Sequence, residues 1–226
     1  MNRDSEYALE RKNMVDEQLR GRGIADRRVL EAMAYVPRHE FVRPEDARLA
    51  YADMPLGIGQ HQTISQPYIV ALMTEWLAPQ PEEVVLEVGT GSGYQAAVLS
   101  RLCRQVYSLE RIPELAERAR IILRRLGLKN VEVITGDGSL GWPPQAPFPA
   151  IMVTAAAPHV PKSLLAQLAD GGRLVLPVGG RDGQILESWV RRGSEMDHER
   201  IAPVAFVPLV GDQGWAAEES ATFTWL

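Results

Sequence analysis

Val84-Val85-Leu86-Glu87-Val88-Gly89-Thr90-Gly91-Ser92-Gly93-Tyr94 decides the fold. The first five residues form a short apolar run rich in valine, which reads as a buried strand. Glycines at alternate positions then read as a tight turn, and residues 95–102 read as a helix. A turn placed between a strand's carboxyl end and a helix's amino end exposes unpaired backbone N–H groups. It also lets a ligand approach main chain that lacks Cβ atoms. The same turn also suits plain β-to-α packing, so the ligand class has to come from elsewhere. Counted from Gly89 the pattern is G-x-G-x-G, and the third glycine of a dinucleotide fingerprint would fall on Tyr94. Counted from Gly91, Gly91-Ser92-Gly93-Tyr94-Gln95-Ala96 fits G-x-G-x-x-A, a permitted dehydrogenase variant. The turn alone therefore leaves NAD open.

Outward from this stretch the chain alternates regularly. Gln105-Val106-Tyr107-Ser108-Leu109-Glu110 predicts a strand, residues 113–126 a helix stopped by Gly127, and residues 131–135 a third strand ending at Gly136-Asp137-Gly138. A fourth strand is expected over 150–154, a helix over 161–168, a break at Gly171-Gly172 and a fifth strand over 173–178. Residues 184–190 and 201–209 have only Arg192-Gly193-Ser194 as a turn signal between them, which predicts an antiparallel pair at the sheet edge. Strands alternating with helices imply a doubly wound, mostly parallel seven-stranded α/β sheet of Rossmann type, covered on both faces.

On the amino-terminal side, residues 7–21 carry Leu9, Met14, Val15 and Leu19 among charges, which predicts a half-buried helix stopped by Gly21 and Gly23. Asp26 is placed to cap a second helix with Val29, Leu30 and Met33 inward, and Pro37 stops it. Residues 53–66 look irregular, and Pro67 suits the first position of a helix to residue 77. That irregular loop is a candidate lid or substrate wall. Its Ser65 and Gln66 are equally placed to cap the following helix, and spacing does not separate the two roles. The expected organisation is a single domain over 1–226: amino-terminal helices and substrate loop over 1–78, a Rossmann-like core over 83–210, and a tail over 211–226.

Composition bounds the function. At 226 residues, 46% hydrophobic and 23% charged, the chain is long enough for a sizeable core. A formal charge of −5 argues against a protein built to coat nucleic acid. The lone Cys103 forbids an internal disulfide and suits a reducing cytoplasm; a packing role is favoured over a nucleophilic one. The amino terminus does not read as a signal peptide, no apolar run reaches membrane-spanning length, and four scattered histidines suggest no metal site.

In an open α/β sheet, ligands bind outside the carboxyl ends of the strands. The first strand ends in the glycine turn. The second ends in Glu110, an acid about 20 residues beyond the first glycine, placed to accept both ribose hydroxyls. The third ends in Asp137, able to take an exocyclic adenine amine, and the fourth in Thr154-Ala155-Ala156-Ala157-Pro158, which leaves room. Each acid alone fits an ordinary strand end; together, at successive strand ends, they point to a ligand. Glu87 is an acid inside an apolar strand, costly unless paired or at the rim. There it can hold, directly or through water, the ammonium of an amino-acid-like tail. An adenosine with such a tail is S-adenosylmethionine, and a nicotinamide site needs neither Glu87 nor Asp137.

Gln62-Thr63-Ile64-Ser65-Gln66-Pro67-Tyr68, Leu86 through Gln95, Gly136-Asp137-Gly138 and Val153-Thr154-Ala155-Ala156-Ala157-Pro158 together resemble the protein-L-isoaspartate O-methyltransferases. So do Met14-Val15-Asp16-Glu17-Gln18-Leu19, Val36-Pro37-Arg38-His39-Glu40-Phe41-Val42 and Phe206-Val207-Pro208-Leu209. The glycine motif is shared by many methyltransferases; Thr63-Ile64-Ser65-Gln66-Pro67 is the specific part. The resemblance implies a class I methyltransferase that esterifies the free α-carboxyl of L-isoaspartyl residues in aged proteins and peptides. The ester then collapses to a succinimide from which normal aspartyl re-forms. It further implies Ser65 as the catalytic residue. The implied cofactor contacts are Gln62, Thr63, Ile64, Glu87, Gly89, Thr90, Gly91, Ser92, Glu110, Asp137, Gly138 and Thr154, with no metal, nucleic-acid or membrane partner. The chain departs from the family pattern at His61, where many members have glycine, at Pro149, where aspartate is common, and in its longer tail with Trp215 and Trp225. Three other readings remain to be weighed: a class I methyltransferase for a small molecule or RNA, a nicotinamide dehydrogenase on the same kind of sheet, and a binding protein with a degenerate site that senses rather than turns over.

Overall fold

A computed structural model describes residues 3–220. Helix α1 (Arg3–Asn13) runs on as a wider π-helical stretch, Met14–Leu19, and Gly23 in the left-handed region closes it. Met14, Val15 and Leu19 are buried as expected, but Leu9 is 53% exposed: the inward stripe starts one turn later than its spacing suggested. The side chain of Asp26 accepts the Arg28 N–H at 2.8 Å and caps α2 (Arg27–Tyr35), whose Val29, Leu30 and Met33 are buried. The segment expected to be irregular contains a hairpin, β1 (Leu56–Gly59) and β2 (Gln62–Ile64). Its tip residues Gln60 and His61 both have positive φ, 52° and 55°, as a two-residue hairpin turn of the primed type requires. Here glycine's usual place is taken by histidine.

Next come α3 (Pro67–Leu77), β3 (Val84–Val88), α4 (Tyr94–Leu99), β4 (Gln105–Glu110), α5 (Pro113–Arg125) and β5 (Val131–Thr135). Helix α4 is shorter than expected, so Cys103 lies just beyond it. It is buried, and that burial pushes its thiol pKa up to about 12, as befits a packing residue. The rest is β6 (Phe148–Val153), α6 (Lys162–Ala166), β7 (Leu168–Gly180), β8 (Gly183–Arg192), β9 (Glu195–Val204) and α7 (Ala217–Ser220). Pro149 sits second in β6, where pairing with β7 is already irregular, so its missing N–H is tolerated. The expected break at Gly171-Gly172 is instead an irregular part of β7: a Cβ on Gly172 would stand 3.0 Å from the Phe148 carbonyl.

The large sheet has the order β5-β4-β3-β6-β7-β8-β9. Strands β3 through β7 pair in parallel, whereas β8 and β9 pair antiparallel at the edge. Alternate β3 residues feed two cores. Val85 packs with Met73 and Leu77 of α3, while Leu86 and Val88 pack with Ile151, Leu164 and Leu174 on the opposite face. Each such buried Val or Leu is worth roughly 2 kcal/mol, which holds β3 rigid at the centre. From β3 the chain moves on to β4 on one side, whereas from its neighbour β6 it moves on to β7 on the other, so the crevice at the carboxyl ends of β3 and β6 is the topological switch point.

The amino-terminal segment covers that end. A third core joins residues from Met14 to Ala71 with Tyr94 and Val98 of α4 and Leu115, Ala119 and Leu123 of α5. Within it Arg38 is fully buried, donates through Nε to the Ala50 carbonyl at 2.7 Å and lies 4.9 Å from the Tyr94 ring centroid. From α5, Arg118 reaches the carbonyls of Ile58 and Val42 at 3.1 and 3.3 Å. It thereby ties the β1–β2 hairpin over the glycine turn.

Candidate active site

A cavity of about 940 Å³ opens at the carboxyl end of β3. Of the residues expected to form a site, Gln62, Thr63, Ile64, Ser65, Gly89, Thr90, Gly91, Ser92, Glu110, Gly138 and Thr154 line it. Glu87 and Asp137 stand behind the wall. The hairpin and the segment from Val207 to Val210 form the side facing the glycine turn, and Arg43, His61 and Arg111 also line the cavity.

The glycine turn is shaped by its neighbours. Gly89 has φ 98°, and a Cβ there would fall 2.4 Å from the Thr154 hydroxyl oxygen, so no larger residue fits. That hydroxyl donates to the Gly89 carbonyl at 2.5 Å, locking the end of β6 against the turn. Glu110 secures the other flank. Its Oε2 accepts the Gly91 N–H at 2.8 Å and its Oε1 the Ile112 N–H at 2.9 Å. Each oxygen accepts one bond and keeps a second acceptor site.

Glu87 is fully buried in β3, where its Oε2 accepts a short bond from the Ser108 hydroxyl. Ser108 in turn lies 2.5 Å from the Thr90 hydroxyl, which places Glu87 one hydroxyl relay behind the turn. The other oxygen, Oε1, has no partner among the described residues. Burial, opposed by the Ser108 bond and aided by the nearby Glu110 charge, pushes the carboxyl up to about 8. The carboxyl expected to hold an ammonium directly or through water thus stands one layer behind the cavity lining, with Oε1 left over.

Asp137 is likewise engaged by protein groups. Its Oδ1 accepts from the Ser139 N–H at 2.9 Å and the Ser139 hydroxyl at 2.7 Å, and its Oδ2 accepts the Asp212 N–H at 2.8 Å. One acceptor position on Oδ2 is left. The tail, not visible in any strand pattern, has claimed the rest.

Ser65 lies between β2 and α3 and has no side-chain partner among the described residues. Neither it nor Gln66 caps α3 by a side-chain bond. The Tyr68 N–H is taken by Asp53 Oδ1 at 3.1 Å, from 15 residues upstream, and the other Asp53 oxygen pairs with Arg22. Capping is thus done elsewhere, and the Ser65 hydroxyl is left for the cavity.

Opposite the turn, Ala156 organises the segment after β9. Its N–H donates to the Val207 carbonyl and its carbonyl accepts the Leu209 N–H, both at 2.8 Å. Those bonds point one way, so the Pro208 carbonyl and Val210 N–H point the other. Neither is claimed among the described residues, and both residues line the cavity. Among the described residues no three His, Cys, Asp or Glu side chains are placed to hold a metal ion, and no helix is long and apolar enough to cross a membrane. Trp225 lies outside the described residues.

Comparison with known proteins follows the same lines. Residues 9–214 match the family model for protein-L-isoaspartate(D-aspartate) O-methyltransferase. A protein-L-isoaspartate O-methyltransferase of Methanoregula boonei is 58% identical over 206 residues, covering 91% of this chain and 95% of that protein. A solved protein-L-isoaspartate O-methyltransferase superimposes with a TM-score of 0.81 at 29% identity, over 90% of this chain and 67% of that one. A Plasmodium falciparum homologue solved with S-adenosyl-L-homocysteine gives 0.78 at 26% identity, over 88% and 98% of the two chains. The chain belongs to the protein-L-isoaspartate(D-aspartate) O-methyltransferase family.

Proposed function

We propose that this protein transfers a methyl group from S-adenosylmethionine to the free α-carboxyl of L-isoaspartyl residues in damaged proteins and peptides, starting repair through a succinimide. The observation that carries this reading is that one cavity joins the glycine turn and Glu110 at the rim of the sheet to a loop bearing an unclaimed hydroxyl, Ser65. The residues present fit S-adenosylmethionine. Main chain from Gly89 to Gly91 lines the cavity, Glu110 beside it keeps one acceptor site on each carboxylate oxygen, and Glu87 Oε1 is an orphaned buried acceptor on the strand that leads into the turn.

When bound, S-adenosylmethionine supplies a methyl group made electrophilic by its sulfonium charge. The chain's own work is to bind, orient and exclude water. A carboxylate acceptor is already ionised near neutrality, with a reference pKa of roughly 4, so no residue has to act as a base. Ser65 is assigned to donate a hydrogen bond to one acceptor oxygen, fixing the attack line without neutralising the nucleophile as an arginine fork would. The hairpin residues that wall the cavity limit the water around that anion, which sharpens its reactivity toward a cation. The Pro208 carbonyl and Val210 N–H are assigned to hold the peptide backbone in extended form, in the manner of an added strand. The reaction as derived has no step for a metal ion. Buried Cys103 suits a reducing compartment such as the cytoplasm.

The test is a methyl-transfer assay with matched isoaspartyl and aspartyl peptides, with small-molecule and RNA acceptors in parallel. Methyl ester should form on the isoaspartyl peptide alone, and NADH should not bind. Equal labelling of both peptides, or labelling only of RNA, would overturn the reading.

A further inference from the structure

The tail segment from Gly211 to Trp215 joins the two sides of the cavity. At one end the Asp212 N–H donates to Asp137 Oδ2 at 2.8 Å and the Gln213 N–H to the Ser139 hydroxyl at 3.0 Å. Both partners flank Gly138, which lines the cavity on the cofactor side. The Gln213 side chain is used at both ends: its Oε1 accepts the Ser163 N–H at 3.0 Å and its Nε2 donates to the Ser163 hydroxyl. At the other end the Trp215 N–H donates to the Leu209 carbonyl at 2.7 Å, and the Trp215 indole N–H donates to the Ala156 carbonyl at 3.0 Å. Its ring lies over Gly180 at the end of β7, where a Cβ would come within 3.1 Å of it. The approach is close throughout: a Cβ on Gly211 would stand 2.1 Å from Asp137 Oδ1.

These bonds converge on a short piece of backbone. Leu209 is held by Ala156 through its N–H and by Trp215 through its carbonyl, so its outward neighbours, the Pro208 carbonyl and Val210 N–H, have a fixed place and direction. Isolated from any regular strand, that edge has no ladder of its own to hold it. We infer that the segment from Gly211 to Trp215 is a strap that positions the peptide-binding edge, with Trp215 as its principal positioning residue. The inference rests on the proposed acceptor site and deepens it. Trp215 itself does not line the cavity, so it does not act on the substrate: its main-chain N–H holds the Leu209 carbonyl, and its indole, the part a substitution removes, holds Ala156, the residue that bonds Val207 and Leu209.

A purely structural role and a positioning role separate in the kinetics. The full chain carrying Trp215→Phe, Trp215→Leu or Trp215→Ala is assayed with an isoaspartyl peptide at saturating S-adenosylmethionine, with S-adenosylhomocysteine binding and thermal unfolding measured alongside. Trp215→Ala should raise the peptide KM about tenfold, while kcat and S-adenosylhomocysteine affinity stay within about twofold. Trp215→Phe keeps a ring over Gly180, and Ala156 keeps its bond from Leu209, so it should restore most of the peptide KM. Should Trp215→Ala prove unfolded, the Leu and Phe variants still grade the effect. A peptide KM unmoved in folded variants, or a fall in kcat and cofactor affinity in step with it, overturns the strap. Wild-type protein that fails to methylate the isoaspartyl peptide overturns the proposed function instead.

Discussion

Across the cavity, two walls treat their polar groups in opposite ways. On the turn side, Thr154 bonds the Gly89 carbonyl, and Glu110 bonds the N–H groups of Gly91 and Ile112. These main-chain groups are tied to protein before any ligand arrives, and Glu110 is fixed in place with one acceptor site left on each oxygen. On the facing side, the Ser65 hydroxyl, Pro208 carbonyl and Val210 N–H have no partner among the described residues. The first wall rests on β3, β4 and β6, the largely buried central strands of the parallel sheet; the second is a two-stranded hairpin and a strap. A preorganised wall fits a cofactor of constant shape, because its donors need not reorganise on binding. An unsatisfied wall fits a variable peptide, whose backbone supplies the missing partners. Substitutions on the second wall should strike turnover or peptide KM, and those on the first should strike cofactor affinity.

Ser65→Ala carries the largest expected effect. Because Ser65 caps nothing, its loss should leave the fold intact: thermal unfolding should match wild type. Losing one donor to a reacting oxygen costs on the order of 100-fold in kcat. S-adenosylhomocysteine affinity should be unchanged. Normal turnover in a folded Ser65→Ala protein would break the division between the two walls at its most exposed point.

Glu110→Ala comes next and should move the other quantity. It removes the acceptor proposed for the ribose and leaves the Gly91 and Ile112 N–H groups without their carboxylate. Loss of a charge-assisted hydrogen bond of about 2 kcal/mol weakens S-adenosylhomocysteine binding by roughly 30-fold. Peptide KM at saturating cofactor should change far less. Calorimetric titration gives the first number and steady-state kinetics the second. Wild-type cofactor affinity in the variant would show that the turn alone holds the nucleotide.

The same division explains what could be read from sequence. Strand β3, the glycine turn and Glu110 are local patterns, each within about 20 residues, and their physical meaning is fixed by period and backbone geometry. The β1–β2 hairpin escaped because its turn, Gln60-His61, places non-glycine residues at positive φ, against the usual signal. Asp53 as the α3 cap, and Asp212 and Trp215 as the strap, bond residues 15 to 75 positions away, and no spacing rule reaches that far. At Gly171-Gly172 the ladder to β6 is interrupted between Leu168 and Arg173, with Gly171 at positive φ and Gly172 in close approach to Phe148; what the local pattern missed is that the strand resumes from Leu168. Glu87 was legible as an anomaly, but Ser108, the partner that sets its depth, lies on a neighbouring strand.

Glu87 gives the smallest effect on turnover and the sharpest on stability. Its folded-state pKa is raised from the ordinary 4.5 to about 8, chiefly by burial. Between those values the folded protein holds a proton that the unfolded chain has released, so stability falls as pH rises through this window and levels off above it. A single proton limits the slope to about 1.4 kcal/mol per pH unit. Glu87→Gln keeps the shape and the acceptor for Ser108 but cannot ionise, so this contribution disappears. Unfolding curves of the two proteins should therefore separate as pH climbs from 5 to 8, with the variant the more stable at the upper end. Parallel curves would mean that Glu87 is already ionised in the fold, drawn into partnership with solvent or a ligand group. The turn-side wall would then hold an unsatisfied charge of its own, and the contrast between the walls would narrow to Ser65 and the peptide edge.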